Sequence, residues 1–62
     1  MQTISSRLQN LAQKFSENAE EIISLINISN KYEVSNLLQD VLNFNDTAHA
    51  FTRATIVAHE KE

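Results

Sequence analysis

A chain of 62 residues is one domain at most, and this one contains no Cys, no Gly and no Pro. The lack of Cys excludes disulfides and thiolate metal sites, and the lack of Gly excludes a glycine loop around a phosphate. The formal charge is −3 and the five basic residues (Arg7, Lys14, Lys31, Arg53, Lys61) are scattered, which argues against nucleic-acid duplexes and anionic membranes as partners.

The first half reads as one helix. Ser5 or Ser6 supplies a hydroxyl for its N-cap, and Ile4, just before, serves as a hydrophobic staple. Ile4, Leu8, Leu11, Phe15, Asn18, Ile22 and Leu25 follow at steps of four and three, a heptad seam with one polar interruption. Ala12, Ala19 and Ile26 widen the stripe on one side, while Lys14, Glu17, Glu20 and Glu21 form a solvated outer face.

The connection falls within Ile26–Lys31, where Asn and Ser tolerate the backbone shapes that end one helix and begin another. Asn30 and Glu33 have capping-box spacing. A second reading stays open. Ile26-Asn27-Ile28 and Tyr32-Glu33-Val34 alternate apolar and polar residues, so a short strand near residues 26–34 would pair with its copy across a dimer axis. Ser35 would then cap the second helix.

The second half carries Val34, Leu37, Val41, Phe44, Ala48, Phe51, Thr55 and Ala58, again at steps of three and four. Leu38, Leu42 and Ile56 add a flanking stripe. Asn43-Phe44-Asn45-Asp46-Thr47 has poor helix propensity, and Asp46 would cap a third helix if the chain broke there. The seam keeps its phase across this stretch, which favours one helix, kinked at most. His59–Glu62 is expected to fray.

The expected fold is therefore all-α: a helical hairpin, one domain over residues 1–62, forming a homodimeric assembly like a four-helix bundle. A domain this small hides only about 60% of the surface its unfolded chain exposes. With disulfides excluded, a second subunit is the available staple. The expected dimer core is Leu8, Leu11, Phe15, Ile22, Leu25, Val34, Leu37, Val41, Phe44 and Phe51. Ile23, Leu42 and Ile56 lie off these stripes and form the candidate surface for a protein partner.

Few residues suggest chemistry. Asn18 on the seam is a candidate for register control, because a buried amide selects one alignment of helices. Asp46, His49 and Arg53 share a helical face, yet they lack a nucleophile, a second base and any enclosing loop, so a solvated charge network is the plainer reading. Phe15, Phe44 and Phe51 sit at core spacing rather than forming an aromatic box. No catalytic, cofactor-binding or metal-ligating residue is assigned, and a non-enzymatic interaction protein is expected. No run approaches the ~20 apolar residues of a membrane span. The opening MQTISSR lacks the blocks of a signal peptide, so the expected compartment is the cytoplasm.

Two family resemblances bear on function. The runs Leu8-Leu11-Phe15-Ile22-Leu25 and Val34-Leu37-Val41-Phe44 resemble in outline the Rop family of plasmid copy-number regulators. That resemblance implies a hairpin paired into a four-helix bundle that binds paired RNA loops through basic residues and an aromatic on the first helix. The matching positions here are Arg7, Lys14 and Phe15, with Glu17 and Glu21 nearby. The brevity, the lack of Gly and Pro, and the Asn27-Ile28-Ser29-Asn30 punctuation also resemble the small orphan helical proteins of temperate, lambdoid phage early regions. This second resemblance implies a regulatory homodimer that acts through contacts with a host or phage protein.

Overall fold

A computed structural model describes residues 3–61 and shows two helices, α1 (Ile4–Ile28) and α2 (Tyr32–Glu60), folded back on each other as a hairpin. The molecule measures 47 × 20 × 11 Å, the thickness of a single layer of helices. The described residues contain no strand. The alternation at residues 26–34, read above as a possible strand signal, resolves into the last turn of α1, a three-residue connection and the first turn of α2. A lone strand here would leave its backbone groups unpaired, whereas continuing each helix pairs them locally.

The N-cap of α1 is Thr3, whose hydroxyl accepts from the Ser6 amide at 3.0 Å. Ser5 and Ser6, proposed as caps from the sequence, are inside the helix, and Ile4 is its first residue rather than a staple ahead of it. Thr3 reaches the third amide beyond it, which is the geometry a capping hydroxyl needs. At the other end the chain leaves α1 through Ser29, in extended conformation, with its amide shared between the Leu25 and Ile26 carbonyls. The Ser29 hydroxyl then bridges to the Lys31 backbone, accepting from its amide at 3.4 Å and lying 3.3 Å from its carbonyl oxygen. No described residue has a positive φ, so the reversal needs no glycine.

Lys31 caps α2 without a side-chain hydrogen bond, and the Ser35 amide makes the first helical bond back to the Lys31 carbonyl at 3.0 Å. Asn30 thus lies outside the cap position, the capping box with Glu33 does not form, and Ser35 is helical. Glu33 remains in the first turn, where its charge favours the helix dipole.

α2 runs unbroken through residues 43–47, so Asp46 starts no third helix. Three of the weak helix formers there, Asn43, Asn45 and Thr47, have an outlet for their polar groups. Asn43 accepts from Gln39, the Thr47 hydroxyl bonds the Asn43 carbonyl at 3.1 Å, and Asn45 donates across the hairpin to the Phe15 carbonyl at 2.9 Å. Side chains that would compete with the helical ladder are occupied elsewhere. α2 also reaches Glu60, so His59 and Glu60, expected to fray, are helical; Glu62 lies outside the described residues.

Candidate functional site

The two helices meet along stripes that differ from the seams read in the sequence. On α1 the inner stripe is Ser5, Leu8, Ala12, Phe15, Ala19, Ile22 and Ile26, with Ser16 also half-buried and Ile22 at 9% the most buried hydrophobic side chain. Leu8, Phe15 and Ile22 belong to the expected seam. Their partners in the hairpin are Ala12, Ala19 and Ile26, the residues expected only to widen it. On α2 the inner stripe is Ser35, Leu38, Leu42, Asn45, His49, Thr52, Ile56 and His59. Leu42 and Ile56, expected to lie off the packed stripes, are half-buried members of this one. Ile23 is 46% exposed, as an off-stripe residue should be.

The inner stripe of α2 is rich in polar groups, and each is accommodated. The Asn45 amide bonds the Phe15 carbonyl, and the His49 ring stacks on the Phe15 ring with centroids 6.3 Å apart. Thr52, 8% exposed, turns its hydroxyl back to the Ala48 carbonyl at 2.8 Å. Among the described residues no buried side-chain polar atom lacks a hydrogen-bond partner. Phe15 thus packs on α2 through His49.

The more apolar stripe of α2 points outward. Phe44 is 78% exposed, Phe51 68% and Leu37 60%, and Val34 and Val41 are exposed too. At about 100° per residue, this stripe lies about 90° around the helix from the inner one. On α1, Ile4, Leu11 and Leu25 are likewise exposed. These three, and Asn18 between them, each immediately precede an inner position on α1. Val34, Val41 and Ala48 hold the equivalent places before Ser35, Leu42 and His49 on α2. In an antiparallel pair, equivalent flanks of the two helices fall on the same side. The hairpin thus has one apolar flank shared by both helices, continued around α2 by Leu37, Phe44 and Phe51.

The opposite flank is built from residues that follow inner positions and is mostly polar. It includes an open groove bordered by Gln9, Gln13, Ser16, His49, Arg53 and Ile56. Ile23 stands on the same flank, further toward the connection. Asp46, His49 and Arg53 share no hydrogen bond with one another among the described residues. Arg7 and Lys14 line a shallow hollow on α1 with Ile4, Leu8 and Leu11. The described residues contain no cluster of His, Cys, Asp or Glu able to hold a metal ion, and no helix long and apolar enough to cross a membrane.

Sequence reasoning found the residues of the apolar flank and assigned them to a dimer core; in the single hairpin they are exposed. It missed the inner roles of Asn45 and Thr52, for which the only available signal was their spacing from Leu38, Leu42 and Ile56. No protein-family model matches the chain, and no curated protein or solved structure shows significant similarity to it.

Proposed function

We propose that the chain is a non-enzymatic interaction protein that works as a homodimer in the cytoplasm and presents its remaining surface to a protein partner. The observation that carries this reading is the outward position of the strongest apolar stripe. The chain exposes 5044 Å². A compact monomer of 7.0 kDa is expected to expose about 4,000 Å². The excess, about 1,000 Å², is of the size that each partner buries in a stable interface, about 800 Å².

In this reading the apolar flank (Leu11, Leu25, Val34, Val41, with Leu37 and Phe44) closes on a second copy, giving a bundle of four helices. The opposite flank, with Ile23 and the groove edged by Ile56, faces a protein partner of host or phage origin, as an amphipathic helix would fit it. The role is regulatory through contact rather than through turnover.

Sedimentation velocity at micromolar concentration tests the first half, with a dimer of 62-residue chains expected. A compact single chain whose cooperative melting does not depend on concentration would refute it. Salt-dependent binding to RNA hairpin loops, weakened by Arg7→Ala and Lys14→Ala, would instead favour the Rop-like alternative.

A further inference from the structure

We infer that the second copy packs with its two-fold axis across the helices, so that α1 lies antiparallel on the partner's α1 and α2 on the partner's α2, with Asn18 and Val41 at the axis. This rests on the homodimer proposed above and specifies its geometry.

Two hairpins stacked face to face can be related by an axis along the helices or by one across them. The choice follows from what borders the apolar flank. On α1 the bordering residues are Arg7, Lys14 and Glu21; on α2, at equivalent places, they are Leu37, Phe44 and Phe51, all exposed. An axis along the helices sets α1 against the partner's α2 and lays each of those charges on an apolar side chain. That removes water from the charges and returns no counter-charge. An axis across the helices sorts like with like: the charged border meets a charged border and the apolar border an apolar one.

Charge also fixes the level of the axis. With the axis at Asn18, Lys14 of one copy meets Glu21 of the other, twice by symmetry, and Leu11 meets Leu25. Shifting the register by one heptad, which moves the axis half a heptad toward the N-terminus of α1 to the midpoint between Leu11 and Asn18, sets the two copies of Lys14 against each other and opposes Asn18 to Leu11. At the chosen level each Asn18 faces its own copy, and an amide, being donor and acceptor at once, satisfies itself in such a pair. The hairpin register fixed by the Asn45–Phe15 bond brings Val41 level with Asn18, so the two copies of Val41 also meet, with Phe44 packed on Leu37 of the second copy.

The absence of Cys from the chain makes cross-linking a clean test. Asn18→Cys and Val41→Cys, prepared separately and oxidised mildly, should each give a disulfide-linked dimer, while a mixture of the two should give no excess of the mixed product. Sedimentation of the unmodified chain runs in parallel, so failure of dimerisation itself is seen separately. A dimer that links only Asn18→Cys to Val41→Cys would establish the axis along the helices and overturn the inference. Charge reversal gives an independent reading. Lys14→Glu or Glu21→Lys alone should raise the dimer dissociation constant about tenfold, by turning two attractive pairs repulsive. The double variant should recover most of that loss, since residues seven apart on one helix do not reach each other. No recovery would count against the pairing.

Discussion

α2 shows two faces to two different surroundings, and the less apolar one is turned inward. Its inner stripe places Asn45, His49 and Thr52 against α1; its outer stripe places Val34, Leu37, Val41, Phe44 and Phe51 toward water. Hydrophobic ranking alone would reverse them. The inner face works because Asn45 and Thr52 hydrogen-bond to backbone carbonyls and His49 stacks on Phe15, which lowers the cost of desolvation. The outer face has no such need within one chain. In the proposed dimer the contrast separates two tasks: the inner stripe sets the register of the hairpin, and the outer stripe would supply the driving force for association, which grows with apolar area removed from water.

The sharpest way to break this contrast is a charge on the outer stripe. Phe44→Glu should raise the dimer dissociation constant by about a hundredfold or more, since the change enters a symmetric interface twice. Sedimentation should then show single chains, and a dimer of unchanged stability would remove Phe44 from the interface. On the inner side, Ile22→Ala should lower stability by about 3 kcal/mol, measured by denaturant unfolding at fixed chain concentration. A loss no larger than that of an exposed residue would mean that the hairpin is not packed along Ile22. Thr3→Ala should cost about 1 kcal/mol through the lost cap, with the change in amide exchange confined to the first turn of α1. Asn45→Ala should cost a similar or slightly smaller amount, about 1 kcal/mol, because the Phe15 carbonyl keeps its helical bond. The smallest effect belongs to the partner side. Ile23→Glu should leave both stability and dimerisation within about 0.5 kcal/mol of the parent, while abolishing capture of a partner helix.

Much of this architecture was legible in the residues. Two helices, their connection between Ile26 and Tyr32, and the continuity of α2 through Asn43–Thr47 all follow from spacing and from the absence of helix breakers. The choice between neighbouring stripes was harder to read. Leu8, Phe15 and Ile22 belong to both possible stripes of α1, so periodicity leaves open whether Leu11 or Ala12 accompanies them. On α2 the two stripes are offset by one residue, and the more apolar was the natural candidate for the inside. What decides otherwise is a tertiary hydrogen bond, Asn45 to the Phe15 carbonyl, and an aromatic stack, Phe15 on His49. Neither leaves a trace in hydropathy. The cap was missed by two or three positions because Thr3, Ser5 and Ser6 all offer the same hydroxyl, and the strand signal near residue 28 arose from β-branched residues that the helix ends simply absorb.

The groove beside His49 and Arg53 lies on the flank away from the apolar one. Once two copies close on each other, their grooves look in opposite directions, with both layers of helices between them. The proposed dimer would therefore be bivalent: it would hold two copies of one target together, or grip a repetitive target with an avidity well above that of either contact alone. A chain this short can thereby act as a cross-bridge, and its potency would depend on the spacing of its targets as much as on the strength of each grip.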